Sequence, residues 1–322
     1  MNTSELRDAL ETRQVWIYFA AVIVAVAVGL LVPSTEILEG AINPALALML
    51  FVTFLQVPVA ALGRALRELR FMGALLAVNF VAVPLLVLGL VQFLPADPLI
   101  RLGVLMVLLC PCIDYVVTFA HLGRADARLL LASTPVLLIA QMALLPIYLR
   151  LFLGAEAAAY VQPGPFIHAF VWLVAIPFVL AALVQAWAVR SATGDRVSSA
   201  LGLAPVPATA LVLFIVVAAV VPQLGQTLDR TLSVVPVYIA FAVLAPLVGW
   251  AVSGFARLTP EAGRAVAFSA GTRNSLVVLP LALVVPGAIP LVPAIIVTQT
   301  LIELVAELLY IRLMPRLGSR TA

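Results

Sequence analysis

Apolar stretches of about twenty residues recur along this whole sequence, with short polar segments between them. A helix needs about twenty apolar residues to cross a hydrocarbon core of roughly 30 Å. A membrane β-barrel would show short segments of alternating polarity instead. Only 10% of the residues are charged, against roughly 25% in soluble domains. The pattern therefore predicts an all-α polytopic membrane protein and excludes a soluble enzyme.

Hydropathy and the polar residues between the stretches predict ten spans in one transmembrane domain, residues 1–322. The segment Met1–Gln14 carries three acidic residues and no cleavage site. The first span is therefore expected to be a retained helix and not a signal peptide. The predicted spans are 15–33, 41–61, 71–94, 100–121, 128–153, 166–189, 203–222, 232–256, 262–285 and 289–314.

Arginine placement predicts the orientation of these spans. Fourteen of the eighteen arginines fall on one side of the membrane, whereas Arg101, Arg150 and Arg230 fall on the other. Cytoplasmic loops carry the excess of basic residues. We therefore expect both termini in the cytoplasm and the chain in the plasma membrane. The net charge of +3 follows from this topology, so the expected partner is the lipid bilayer and not nucleic acid.

A short internal repeat suggests how the spans are organised. Ile-Tyr-Leu-Arg-Leu at 147–151 returns as Leu-Tyr-Ile-Arg-Leu at 309–313, which is 162 residues later. Many transporters consist of two halves of opposite orientation. We expect two inverted five-helix repeats, about 15–153 and about 166–314.

Spans 4 and 9 are each interrupted by polar and helix-breaking residues. The two interruptions are related by the same offset of 162 residues. Span 4 contains Cys-Pro-Cys-Ile-Asp at 110–114, and span 9 contains Gly-Thr-Arg-Asn-Ser at 271–275. Proline removes a backbone donor and glycine loosens a helix. Polar residues at such breaks usually line the substrate path, where the freed backbone groups are satisfied. We expect discontinuous helices 4 and 9 that cross at the membrane midplane.

Four charged residues fall inside spans, where each costs several kcal/mol unless it is paired or hydrated. Asp114 and Arg273 could neutralise each other where the broken helices cross. Glu307 falls near a helix end and is expected to reach the membrane interface. Glu303 lies on one stripe with Gln299 and Glu307, at intervals of four residues. A carboxyl in such a bundle either exchanges a proton near neutral pH or bonds a neighbouring helix as a structural group.

The two cysteines, Cys110 and Cys112, are separated by one residue and are poor disulfide partners. Buried thiols are commonly packing residues. They are also soft ligands for Cu(I) or trivalent arsenic. His121 and His168 have no ligand-like spacing, and no phosphate-binding motif occurs. The sequence therefore predicts no cofactor, no resident metal and no ATP-driven pump.

These motifs resemble those of the bile acid/sodium symporter superfamily. The similarity rests on Cys110-Pro111, on the Gly-x-x-Asp loop at 123–126 and on Phe-x-x-Gly-x-x-Asn at 268–274. It implies ten helices in two inverted halves, with a core domain and a panel domain. It also implies a transporter that couples its substrate to an ion.

The sodium-coupled members of that superfamily differ from this chain at the ion sites. They typically have Gly-Gly after Cys-Pro and Ser-Asn further along helix 4, where this chain has Cys112-Ile113 and Val116-Val117. Ser269 stands at a glutamate position, and Arg273 stands at a glutamine position. A guanidinium has no acceptor and repels a cation. The comparison with those members therefore implies that the sodium sites are dismantled and that a fixed positive charge stands in their place.

The arsenite efflux permeases are similar to this chain at Cys112-Ile113 and in the loop from Leu122 to Asp126. The resemblance implies that Cys112 contacts arsenic and that Glu303 carries a proton. On the basis of Cys112 and Glu303 we expect an exporter of arsenite, or antimonite, in exchange for protons. Arg273 is a departure from that branch. The alternative is an organic-anion carrier in which Arg273 binds a carboxylate or sulfonate. The expected substrate-binding residues are Cys110, Cys112, Asp114, Arg273 and Asn274.

Overall fold

The structure is a computed structural model, and it describes residues 3–56, 68–113, 115–154, 163–222 and 227–318. Nearly all of these residues are helical, and within these ranges there is no strand beyond one isolated bridge. The long helices carry many exposed apolar side chains, such as Ile139 and Leu151 on one helix. Such surfaces suit lipid and not water. The predicted all-α polytopic membrane protein is confirmed.

Six helices in the described ranges are long and apolar enough to cross a membrane, and a bent pair would make a seventh. The bent pair consists of Ala192–Leu201 and Pro205–Val220, which meet at 41°. The count of ten spans stays a prediction, because a span made of two short helices contains no single helix that is long enough to cross a membrane. The six helices are Glu5–Leu31, Leu69–Phe93, Ala127–Leu153, Val171–Arg190, Leu228–Phe255 and Leu291–Arg316.

The α-helices are numbered in chain order. They are α1 (Thr3–Leu31), α2 (Glu39–Phe54), α3 (Leu69–Ala77), α4 (Val83–Leu90), α5 (Pro98–Leu108), α6 (Val116–Leu122), α7 (Ala127–Leu153), α8 (Pro163–Phe170), α9 (Ile176–Arg190), α10 (Ala192–Leu201), α11 (Pro205–Val220), α12 (Leu228–Leu232), α13 (Val235–Phe255), α14 (Pro260–Gly271), α15 (Ser275–Leu283) and α16 (Leu291–Leu313). π-Helical turns join α3 to α4 and α8 to α9.

One compact unit comprises residues 1–57, 162–228 and 279–294. In it α1 packs along α11, and α2 packs on α11 and α9. Gly29 permits the close approach of α1, because a Cβ there would lie 3.1 Å from the Ala218 carbonyl oxygen. This unit contains none of the charged residues predicted to lie inside spans.

The second compact unit comprises residues 58–161, 229–278 and 295–322. Its most extensive helix contact is between α13 and α14, and α14 also packs on α6 and α7. At Gly249 a Cβ would lie 2.8 Å from the Ala267 Cα, so only glycine allows this spacing of α13 and α14. The interrupted segments belong to this unit, as does the polar cluster described below.

A proline explains the π-helical turn between α3 and α4. The ring of Pro84 crowds the carbonyl four residues earlier, which is that of Phe80, and offers it no N–H. The Tyr148 hydroxyl donates a hydrogen bond to that Phe80 carbonyl instead. The widened turn carries Asn79, which is fully buried. Turns of this kind often mark functional positions in helices.

Replacing Asp97 with alanine is expected to lower the free energy of unfolding by about 1 kcal/mol. The Asp97 carboxylate caps α5 by accepting from Leu99 N at 3.0 Å and Ile100 N at 3.2 Å, and it pairs with Arg230. Partial burial alone would raise the pKa of Asp97, but the Arg230 hydrogen bond and the backbone N–H groups hold it below its usual value. The contribution is therefore full above the unfolded pKa of about 4 and is lost as the pH falls through the lower folded value.

Melting of the detergent-solubilised protein at neutral and acidic pH measures this effect. Asp229→Ala, at a neighbouring exposed carboxylate, is the control. Equal melting temperatures of wild type and Asp97→Ala at neutral pH would contradict the assignment.

Candidate substrate and ion-coupling site

The breaks in the two interrupted spans leave backbone groups that no helix bonds, and the two segments satisfy each other. Asn274 N donates to Cys110 O at 2.8 Å, and Cys112 N donates to Thr272 O at 3.0 Å. Pro111 lies between the two cysteines and has no backbone N–H, so it adds no unsatisfied donor at the break. The predicted discontinuity of both helices is confirmed, and the two breaks meet.

Both thiols lie at this junction. Cys110 and Cys112 are fully buried, and neither forms a disulfide. Pro111, which separates them, pairs with the backbone of Arg273. The junction therefore brings two soft donors next to a fixed positive charge, in a place shielded from solvent.

The Arg273 side chain folds back onto the end of its own helix. The carbonyls of Ser269 and Ala270 lose their usual partners, because the N–H groups four residues later donate elsewhere at the break. The guanidinium Nη2 donates to both carbonyls, at 2.8 Å for Ala270, and also to Asn79 Oδ1 at 2.9 Å. Nη1 reaches Leu108 O at 3.4 Å. Positive charge is favourable at this end of a helix, since it opposes the negative pole of the helix dipole.

This guanidinium is enclosed on its other sides. It is 0% exposed, and it lies 5.6 Å from the centre of the Phe241 ring, within cation–π range. Asn79 is itself fixed, since its Nδ2 donates to Ser269 Oγ at 2.9 Å. No carboxylate in the described ranges pairs with Arg273 within 4.0 Å. The positive charge is held by neutral oxygens and a ring.

Glu303, on α16, receives donors on both carboxyl oxygens. The Tyr115 hydroxyl donates to Oε1 at 2.5 Å. Arg273 N donates to Oε2 at 2.6 Å, and Gln299 Nε2 donates to the same oxygen at 2.5 Å. Backbone and amide N–H groups can only donate, so Oε2 is an acceptor in this conformation. The arrangement suits an ionised carboxylate.

Glu307 corrects one expectation from the sequence. It was expected to reach the membrane interface, but it is 0% exposed and hydrogen-bonded to the Thr272 hydroxyl at the end of α14. Its Oε2 finds no partner in the described part of the chain. The predicted stripe of Gln299, Glu303 and Glu307 therefore faces the protein interior along its whole length.

Asn274 caps α15 through its Oδ1, which accepts from Val277 N at 3.2 Å. Its Nδ2 has no partner within the described ranges and is buried. Asp114 lies outside the residues that the structure describes, so its pairing with Arg273 stays a prediction.

A small cavity borders these groups. This space of about 10 Å³ beside Glu303 and Tyr238 has room for about one water molecule. In this closed conformation the space is too small for any larger substrate. A cavity of about 370 Å³ lies between α13 and α16. Apolar side chains such as Leu247 and Leu309 line this cavity, so it provides few hydrogen-bond partners for a polar solute.

The structure brings Cys110, Cys112, Arg273 and Glu303 into one connected cluster. The sequence did not indicate the contributions of Asn79 and Tyr115, whereas Thr272 falls in the polar segment 271–275 that the sequence had marked. An asparagine in the middle of an apolar span was the one available signal for Asn79. Tyr115 carries no such signal, because tyrosine is common inside membrane helices.

A model of the Sodium Bile acid symporter family matches residues 43–230, which is more than half of the chain. No curated protein matches the sequence.

Proposed function

Since this chain belongs to the Sodium Bile acid symporter family, we propose that it is a proton-coupled exporter of arsenite, and of antimonite, in the plasma membrane with both termini cytoplasmic. Membership makes it a multi-pass membrane transporter of small solutes coupled to ions. The substrate and the ion are argued from the site. The observation that carries the proposal is the placement of two buried thiols, neither of them in a disulfide, on the two sides of Pro111, which pairs with the backbone of Arg273. The Arg273 N–H in turn donates to Glu303.

Sodium coupling is disfavoured by what surrounds Arg273. A sodium ion would need several oxygen ligands. At this junction the carbonyls of Ser269, Ala270 and Leu108 and the Asn79 amide oxygen already accept from the guanidinium. The arginine supplies one positive charge that cannot leave. A transporter with this residue therefore needs no sodium ion to complete its site.

The thiols give the site affinity for trivalent arsenic. One thiol and arsenous acid form one arsenic–sulfur bond and release one water, and the reverse step frees the substrate on the other side. Sulfur is the preferred donor for such soft centres. One or two sulfurs bind reversibly, as transport requires. We assign the direct contact to Cys112, with Cys110 beside it and the Asn274 amide as a donor to an arsenic-bound oxygen.

Glu303→Gln is expected to abolish proton-driven arsenite accumulation, because the amide cannot take up or release a proton. Gln299 and Tyr115 can still hydrogen-bond the new side chain, so the fold should persist. Accumulation in liposomes with an acidic lumen is expected to fall to the level of protein-free liposomes. Glu68→Gln, at an exposed carboxylate, is the control. Unchanged accumulation in Glu303→Gln would remove this carboxyl from the coupling.

The inverted repeat is supported by hydrogen bonds that recur at the 162-residue offset. Tyr148 donates to the carbonyl four residues before Pro84, and Tyr310 donates to the carbonyl four residues before Pro246. Each member of the first pair lies 162 positions before its counterpart.

The junction of the broken helices has the same symmetry. Adding the offset to Cys110 and Cys112 gives Thr272 and Asn274, and the two backbone hydrogen bonds exchange under that relation. We propose that the two five-helix repeats move relative to each other about this junction. The movement would expose the site first on one side of the membrane and then on the other.

An organic-anion carrier is the second candidate. The Arg273 Nε–H finds no acceptor in the described part of the chain, so one guanidinium donor is left for a carboxylate or sulfonate. The other contacts of the guanidinium would have to break before such a group could bind in the usual two-point geometry. We therefore place arsenite first.

The purified protein in liposomes decides between these candidates. We expect arsenite to accumulate when the lumen is more acidic than the medium, since protons leave as arsenite enters. We expect no accumulation of taurocholate. Taurocholate uptake without arsenite uptake would favour the anion carrier, and movement of neither would contradict both.

A further inference from the structure

Glu307 is a buried carboxyl for which the proposed function has no role. Its neighbours differ from those of Glu303 in one respect. Glu303 has three donors, whereas Glu307 has one hydroxyl partner, Thr272, and an Oε2 without a partner in the described ranges. An ionised carboxylate removed from water needs several donors, whereas a protonated one needs a single acceptor.

The Thr272 hydroxyl can serve either state of Glu307. It has one hydrogen and lies within bonding distance of two oxygens, Phe268 O at 2.7 Å and Glu307 Oε1. If Thr272 donates to Phe268 O, the contact with Glu307 requires a proton on the carboxyl. If Glu307 is ionised, the hydroxyl turns and donates to it, and Phe268 O keeps its bond from Thr272 N at 3.0 Å. The Thr272 hydroxyl therefore has a hydrogen-bond partner in both protonation states of Glu307.

Charge balance favours the protonated state in this conformation. Among the described residues, the charged groups at the junction are Arg273 and Glu303, and the nearby titratable groups are Tyr310 on α16, Tyr115, and the two thiols of the α5–α6 break. Within this set, one guanidinium balances one carboxylate. A second ionised carboxyl one turn from Glu303 would leave an uncompensated buried charge.

We propose that Glu307 holds the coupling proton in the closed conformation and that Glu303 is its ionised partner, one helical turn away. When opening separates Glu303 from Tyr115 and from Arg273 N, the proton leaves the Glu307 carboxyl and binds the Glu303 carboxylate. Thr272 then donates to the newly ionised Glu307. This pair rests on the proposed function, because it specifies where the exchanged proton resides.

Infrared titration of the purified protein in liposomes tests the location without any substrate. The carbonyl stretch of a protonated carboxyl is resolved from the bands of carboxylates. At neutral pH we expect such a band in the wild type, its loss in Glu307→Gln, and its retention in the exposed control Glu68→Gln. Thr272→Val should shift the band by removing its hydrogen-bond partner, whereas Tyr115→Phe should leave the frequency unchanged.

A shift with Tyr115→Phe and none with Thr272→Val would place the proton on Glu303 and overturn the proposal. So would the absence of the band in the wild type. In transport, Glu307→Gln should lower arsenite accumulation driven by an acidic lumen at least tenfold, while arsenite–arsenite exchange persists. If no variant or wild type moves arsenite, the proposed substrate fails, whereas the infrared result still decides where the proton resides.

Discussion

Replacing Arg273 with alanine is expected to abolish transport by the wild-type route and to make any remaining activity sodium-dependent. The substitution removes the donor of four buried oxygens, including the otherwise unpaired carbonyls of Ser269 and Ala270. A buried acceptor without a partner costs about 1–3 kcal/mol, so the two carbonyls alone should lower the free energy of unfolding by at least about 2 kcal/mol. The end of α14 and the junction next to Cys112 should loosen.

The variant leaves oxygens that a sodium ion could bind. Flux and melting temperature should therefore rise in sodium chloride relative to choline chloride at the same ionic strength. The wild type should show no difference between the salts. Arg273→Lys should restore neither property fully, because an ammonium cannot reproduce the planar fork that contacts Asn79 and two carbonyls. Sodium-stimulated transport by the wild type would contradict the assignment of Arg273 as a fixed cation.

Cys112→Ser is expected to lower arsenite flux at least tenfold with little effect on folding. Serine is close in size to cysteine, and the backbone bond from residue 112 to Thr272 O is kept. What is lost is the arsenic–sulfur bond, which oxygen does not replace for a soft centre. The initial rate of arsenite uptake and the melting temperature should be measured together.

Cys110→Ser is the matched comparison, since that thiol is equally buried at the same junction. We expect a smaller loss there, because the direct contact is assigned to Cys112. Full activity of Cys112→Ser, with an unchanged melting temperature, would remove the thiol from the mechanism.

Much of the fold follows from the sequence because a bilayer imposes one simple condition on each span. Continuous apolar stretches must be helical there, since no water is present to satisfy an open backbone. Pro111 and Gly271 likewise predict where two of those helices break, because each acts on its own backbone. The repeat at 147–151 and 309–313 also indicated which breaks correspond.

The contacts of the site depend on packing between distant segments, and one sequence does not contain that information. Asn79 and Arg273 are 194 positions apart, and their contact depends on how the π-helical turn after α3 lies against the end of α14. Glu307 was misplaced for a similar reason. A carboxyl near a helix end can face lipid, the interface or the interior, and only the arrangement of neighbouring helices decides which. The stripe with Gln299 and Glu303 predicted a shared face but not its burial.

The claim that arsenite moves in exchange for protons and without sodium is tested most directly by one measurement. The purified wild-type protein is reconstituted into liposomes whose lumen contains no sodium. Arsenite accumulation is then measured under three conditions: an acidic lumen, no gradient, and a sodium gradient imposed from the medium. The account predicts accumulation above the no-gradient level with the acidic lumen and none with sodium. Accumulation driven by the sodium gradient, or by neither gradient, would contradict it.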